Sequence, residues 1–221
     1  MRDPKYYFSV ESFPLFQGIE SVWDALANLS SYLKGLKLGF IEITIPEGVY
    51  LENPHLISIG KGTVIEPGAY IKGPVLIGKN CQIRQGAYIR ENVILEEGAI
   101  VGHSTEIKHS ILLKKAHAAH FNYVGDSILG QECNLGSGTA CANYRLDQRK
   151  VQVRIEGKKV ETGLHKLGVI LGDRSQIGCN SVTSPGTLIG RDVLCYPCMH
   201  IQGSIPSNSK RKLKQQFTQD I

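Results

Sequence analysis

The sequence predicts an all-β solenoid, a chain wound into stacked parallel strands behind a short helical segment. Three observations point to it: a six-residue aliphatic period, an excess of glycine at turn positions, and helical spacing confined to the N-terminal part. Every sixth residue from Ile59 is aliphatic: Ile59, Ile65, Ile71, Ile77, Ile83, Ile89, Leu95, Val101, Ile107 and Leu113. A period of six is neither the 3.6 of a helix nor the 2 of a simple strand. Two residues before each hit stands a small or β-branched residue, as at Thr63, Ala69, Val75, Cys81 and Ala87. Three after stand turn formers such as Gly62, Gly68, Asn80, Gly86, Asn92, Gly98, Ser104 and Ser110. Glycine makes up 24 of 221 residues, above the usual ~7%, and the corners use that excess.

Each hexad therefore reads as a short strand with one aliphatic side chain turned inward and a corner after it. Three hexads close a triangular coil, and successive coils stack at ~4.8 Å. Such a period marks a β-helix. The register returns at Leu129, Leu135 and Cys141, and again at Leu171, Ile177, Thr183, Ile189, Cys195 and Ile201.

Before the repeat, Ile19, Val22, Trp23, Leu26, Leu29, Leu33 and Leu36 are spaced by three and four, an amphipathic helix with Gly35 near its end. Residues 1–50 are expected to form a helical cap over the open end of the coil, with Trp23 packed on the first coil. Residues 51–205 form the solenoid. Residues 206–221 form a basic tail with Lys210, Arg211, Lys212 and Lys214.

The repeat breaks twice. Leu113 to Leu129 is 16 residues rather than 12 or 18, and the second break runs from Cys141 to Leu171. Alternation across residues 151–162, with Glu156-Gly157 at its centre, predicts a hairpin protruding from about residues 144–165. Arg145, Arg149, Lys150, Arg154, Lys158 and Lys159 make it basic. Arg90 and Lys108 are 18 residues apart within unbroken register, so they stack on one outer face. Two cations ~5 Å apart repel unless an anion lies between them. Either Glu91 and Glu106 neutralise them, or they clamp a phosphate.

Composition narrows the class. The net charge is +5, from 25 Lys and Arg against 20 Asp and Glu, without the dense basic stripe of a nucleic-acid binder. No apolar run reaches the roughly 20 residues of a membrane span. The N-terminus has no signal-peptide pattern, so a cytoplasmic location is expected. Cys81, Cys133, Cys141, Cys179, Cys195 and Cys198 are then expected to be reduced thiols. His117 and His120 lie three apart in the first break, but no third ligand accompanies them and no metal is expected.

The broken segment carries more specific motifs. Glu106-Ile107-Lys108 is followed by His120-Phe121-Asn122-Tyr123-Val124-Gly125-Asp126. Asn134-Leu135-Gly136-Ser137-Gly138-Thr139 and Ala142-Asn143-Tyr144 come next. In this order they resemble the acetyltransferase domain of bifunctional N-acetylglucosamine-1-phosphate uridyltransferases, over about residues 55–205. The hairpin, followed by Thr162-Gly163 and Lys166-Leu167-Gly168, is most similar to the archaeal-type sugar-1-phosphate branch. The resemblance implies a left-handed parallel β-helix, although the general rule for parallel crossovers gives the right hand.

It also implies roles. His120 is the general base, and Arg90 and Lys108 bind phosphate. Tyr123 and Asn134 contact the sugar phosphate, and Asn143 and Tyr144 stand near the amine and acetyl group. The backbone N–H of Ser137 faces the acetyl carbonyl, and Cys179 stands where the family has a serine in the thioester pocket. A family lysine is replaced by Arg149 or Lys150. The family is a homotrimer with sites between subunits. It uses acetyl-CoA as co-substrate in making the precursor of UDP-N-acetylglucosamine. Glucosamine 1-phosphate is the expected acceptor, with galactosamine 1-phosphate as an equal alternative. No nucleotidyltransferase half is recognised, so a monofunctional acetyltransferase is expected. A non-catalytic trimeric scaffold or regulatory subunit of a sugar nucleotidyltransferase, and a zinc hydratase, are the competing readings.

Overall fold

Each hexad closes one side of a triangular coil, and backbone pairing between coils builds the three sides into sheets. The computed structural model describes residues 1–9 and 13–213. Three parallel sheets of eight strands each form a solenoid of about nine turns. The first sheet runs from Tyr50–Glu52 to His200–Ile201, the second from Ile57–Ile59 to Ser204–Ile205, and the third from Val64–Ile65 to Lys210–Arg211. The inward aliphatics Ile59, Ile65, Ile71, Ile77, Ile83 and Ile89 share one buried cluster with Leu129, Leu171 and Ile201. Full burial of each such side chain stabilises by about 1.5–3 kcal/mol. The corner residues Gly62, Gly68, Asn80, Gly86, Asn92, Gly98 and Ser104 all have positive φ, the backbone region that glycine and asparagine enter most cheaply.

The register slips earlier than the hexad count predicts. Ile89 pairs with Ile107, an 18-residue step, but Leu95 pairs with Leu112, a 17-residue step. One residue is missing from the corner between Lys108 and Ser110. Leu112 therefore takes the tenth inward place, while Leu113 joins a second cluster. The left-handed corner residue is accordingly His109 (φ 45°) and not Ser110. The next corner, Gly125 to Ser127, is equally short, since Ile111 pairs with Ile128. At the third, the chain leaves the coil after Ala140–Cys141 and returns at Val169–Leu171. Its excursion is an antiparallel hairpin of Gln152–Ile155 and Lys158–Glu161. Glu156 and Gly157 both have positive φ (48° and 80°), a turn that matches the twist of paired strands.

The helix, α1 (Asp24–Gly35), does not close the end of the coil as expected. Its Ala25, Leu26, Leu29 and Leu33 pack in one cluster with Ile94, Ile111, Ile128, Ile170 and Leu188, on the outside of the second sheet. Trp23 is buried in that cluster, as are Val151 and Val153 of the hairpin region. Helix and hairpin thus cover the same flank. The end of the coil core instead meets Ile41, Ile43 and Ile45. Residues 40–45 join the coil through one bridge, Ile41 to Ile59. At the other end the coil runs on through Lys210–Arg211, and Lys212 lies 4.8 Å above the Tyr196 ring. Lys214 lies outside the described residues.

Among the described glycines the least room is at Gly102, where an added Cβ would stand 1.5 Å from the Ala119 carbonyl oxygen. Gly102→Ala should cost on the order of 3 kcal/mol, since the obstacle is backbone. Gly35→Ala, with nothing within 4 Å of its added Cβ, should gain roughly 0.5–1 kcal/mol. Urea unfolding of both variants beside the parent checks the pair; equal stabilities would contradict the packing.

Candidate active site

Two corners and the strand between them bring most of the expected site residues onto the first sheet. At the corner between the first and second sheets, Arg90 stacks on Lys108 because Ile89 pairs with Ile107 and Arg90 N–H donates to Ile107 O (2.8 Å). Each cation has a carboxylate. Arg90 meets Glu106 at 2.9 Å, both about one-third exposed, whereas Lys108 meets Asp126 at 2.7 Å, nearly buried. Glu91 forms no ion pair with either cation among the described residues; its Oε2 is buried without a partner, and its charge acts on Arg90 without contact. Asp126, in left-handed backbone at φ 47°, also accepts from Asn143 Nδ2. Asn143 is buried, and its carbonyl accepts from Leu167 N–H at 2.9 Å.

Tyr123 occupies the strand leading away from this corner. A Cβ at Gly125 would lie 2.6 Å from Asn143 Nδ2 and 2.7 Å from Tyr123 Oη, so glycine is what lets these groups converge over the strand. Burial pushes the Tyr123 phenol up, and the Glu106 and Asp126 charges add to this. Tyr144 follows on the hairpin side, exposed, with Lys166 Nζ 6.0 Å above its ring.

The opposite corner, between the third and first sheets, carries His120, Ser137 and Cys179 in successive coils. Gly138 N–H donates to His120 O (3.1 Å), and Asn180 N–H to Ser137 O (2.8 Å). The His120 ring is exposed and has no protein hydrogen bond among the described residues. In the 136–139 turn, Gly136, Gly138 and Thr139 donate to Ile177 O, His120 O and Gly136 O. The Ser137 N–H has no protein acceptor among the described residues. Buried Asn122 ties this corner together: it accepts from His120 N–H at 3.2 Å and donates to Gly136 O at 2.8 Å.

Asn134 lies elsewhere. It pairs with His117 on the third sheet, away from Tyr123 and Lys108. Burial, and then the Arg84 charge, hold the His117 imidazole below its usual pKa. Arg149 and Lys150 are both exposed. Among the described residues no three His, Cys, Asp or Glu side chains converge on a metal position. Asp126 and Asn122 were given no role from sequence. The signal for each was a polar residue inside the broken hexads, where a side chain must be satisfied internally.

The repeat and the coil define the class, a hexapeptide-repeat left-handed β-helix. Residues 71–165 match the GMPPB C-terminal domain model and residues 168–194 the hexapeptide repeat of succinyl-transferase. The sequence relatives include archaeal proteins of the GlmU type. The chain is 40% identical over 78 residues to a bifunctional sugar-1-phosphate nucleotidylyltransferase/acetyltransferase of Sulfurisphaera tokodaii, covering 35% of this chain and 20% of that one. It is 39% identical over 97 residues to the bifunctional protein GlmU of Methanocaldococcus jannaschii, covering 44% and 24%. The chain thus spans between a fifth and a quarter of the length of these relatives. A UDP-N-acetylglucosamine acyltransferase from Campylobacter jejuni shares the fold at a TM-score of 0.51 and 18% identity, covering 74% of this chain and 69% of that one.

All six cysteines are unpaired, with only Cys179 and Cys198 exposed. Burial pushes the Cys141 thiol up to about 12 and Cys195 to about 11, and raises Cys133 too. A thiol reagent at pH 8 should therefore titrate two groups in the native protein and all six in denaturant. Rapid native reaction of a third thiol would contradict the buried placement.

Proposed function

We propose that this chain transfers an acetyl group from acetyl-CoA to the amine of a hexosamine 1-phosphate, with His120 as general base. The observation that carries the reading is the corner where the exposed His120 ring and the open Ser137 N–H share a hydrogen-bonded frame. From it, Tyr123 leads to the Lys108–Asp126–Asn143 cluster.

The chemistry follows from those groups. An ammonium cannot attack a thioester, and a neutral imidazole can take its proton at near-neutral pH. Attack moves negative charge to the thioester oxygen, where an unoccupied, rigidly held N–H stabilises it best. Collapse expels the CoA thiolate, and the proton on His120 can return to that sulfur. Arg90 and Lys108 hold the sugar phosphate. An exposed ion pair such as Arg90–Glu106 is worth ~0–1 kcal/mol, so a phosphate can replace Glu106 at small cost. Lys108 stays fixed by Asp126.

The protruding hairpin and the last coils enclose a groove of about 990 Å³ beside Tyr144, lined by Arg145, Arg154, Lys159 and Ser204. Its basic wall suits the phosphates of CoA. Asn134 would join the site from a neighbouring copy in a trimer. Helix and hairpin already cover the second sheet, which leaves the first and third for contacts between subunits. Glucosamine 1-phosphate is the favoured acceptor and galactosamine 1-phosphate the alternative. A non-catalytic scaffold would have no use for His120 or Arg90, and both are present.

The test is CoA thiol release from acetyl-CoA. His120→Ala should retain the parent's circular dichroism and lose roughly 10²–10⁴-fold in kcat; near-parental kcat would overturn the mechanism. Arg90→Ala and Lys108→Ala should chiefly raise KM for the sugar phosphate, and unphosphorylated glucosamine should be a poor substrate. Equal rates for the two sugars would remove the phosphate clamp. Light scattering should give about three times the chain mass of 24.3 kDa; an active monomer would contradict the shared site.

A further inference from the structure

On the outer face of the first sheet, the column that carries Tyr123 continues toward the N-terminal coils as a ladder of tyrosines. Tyr50 pairs with Tyr70, Tyr70 with Tyr88, Tyr88 with Glu106, and Glu106 with Tyr123. The Tyr50 and Tyr70 rings stack at 6.3 Å, and Tyr88 meets Tyr70 edge-on at 5.5 Å. All three remain substantially exposed, at 65%, 37% and 39%. Two residues along each strand runs a second column, Lys72, Arg90 and Lys108, one cation per coil. Among the described residues Lys72 is paired only with Glu52, at 3.3 Å, both side chains exposed by more than a third, and Glu52 also accepts from the Tyr70 hydroxyl at 2.7 Å. Acetylation of a sugar 1-phosphate uses Arg90, Lys108 and the groups toward His120. It leaves Lys72 and the ladder unused.

We propose that the site also accepts the nucleoside-diphosphate ester of the same amino sugar, an inference that rests on the function proposed above. The amine must point toward His120, at the far edge of the sheet and in later coils. Any substituent on the other side of the phosphate must therefore leave toward Lys72, Tyr88 and Tyr70. A second phosphate there meets Lys72 and the free donors of Arg90, whose guanidinium gives only Nη1 to Glu106. The coil spacing of ~4.8 Å puts successive cations within reach of one diphosphate. A planar nucleobase then stacks on the exposed rings, a contact that tolerates any base because each has a π-face. The acetyl step is unchanged: the N–C bond forms, the C–S bond breaks, and the amine proton passes by way of His120 to the departing sulfur.

The test uses the full chain saturated with CoA, so that the CoA groove is filled, and titrates UDP by calorimetry. It also compares kcat/KM for UDP-glucosamine and glucosamine 1-phosphate. UDP should bind, and Tyr70→Ala and Tyr88→Ala should each weaken it roughly five- to a hundredfold. Both should lower the kcat/KM ratio of nucleotide sugar to 1-phosphate by a similar factor, and Lys72→Gln should lower the same ratio. Acetylation of the 1-phosphate without UDP binding, or a ratio unchanged in the tyrosine variants, overturns this inference alone. So does dissociation of the oligomer in those variants, which would mark the ladder as a contact with a second copy. Failure of the parent to acetylate either sugar overturns both this inference and the function beneath it.

Discussion

Everything in this molecule depends on the parallel backbone ladder between coils. Because each strand donates to the one beside it in fixed register, a residue has no freedom over which neighbour it meets. It stands above the residue one coil earlier. The proposed site is therefore laid out in columns: cations over cations at one edge of the first sheet, tyrosines along its middle, and His120, Ser137 and Cys179 at its other edge. The inward aliphatics hold the columns in place, since turning any one outward would open the core.

A strictly periodic coil would repeat the same corner without end, and the proposed site lies where that monotony is broken. Corners at Lys108–Ser110 and Gly125–Ser127 each lack one residue, and the next one opens into the hairpin. Buried serine hydroxyls at these corners take up backbone N–H groups of the next coil, as Thr63 and Ser175 do at full-length corners. Ser110 Oγ accepts from Ser127 N–H at 3.1 Å, and Ser127 Oγ accepts from Val169 N–H at 3.0 Å while donating to Gly125 O. The shortened corner also draws Asp126 inward against Lys108 and Asn143. A nearly buried ion pair is weak evidence for stability, because desolvation offsets much of its attraction. Holding Lys108 in one place is the more plausible return.

Much of the fold was legible because the hexad signal comes from burial, which sequence records directly. The slip was misplaced by one residue because Leu112 and Leu113 are both aliphatic, so composition alone could not tell which faced inward. The helix was recognised from its spacing, but amphipathicity shows only that a face is buried and not against what. The apolar outer residues Ile94, Ile111, Ile128 and Ile170 were the missing clue, since they required a cover on the second sheet. In the site, spacing within unbroken register placed Arg90 over Lys108. Glu106, named beside them in the sequence, pairs with Arg90, whereas the partner of Lys108 was beyond it, because Asp126 reaches Lys108 across a shortened corner. Asn134 shares a motif with Ser137, yet it lies on the third sheet, three residues before the corner that carries Ser137.

In the proposed reaction the phosphate column and the His120 corner serve one substrate. A crystal structure with glucosamine 1-phosphate and CoA bound tests it most directly. The phosphate should lie within hydrogen-bond distance of Arg90 and Lys108, with the amine facing His120 and the CoA sulfur near the Ser137 N–H. A sugar phosphate seated in the hairpin groove, or bound with its amine turned away from His120, would contradict it.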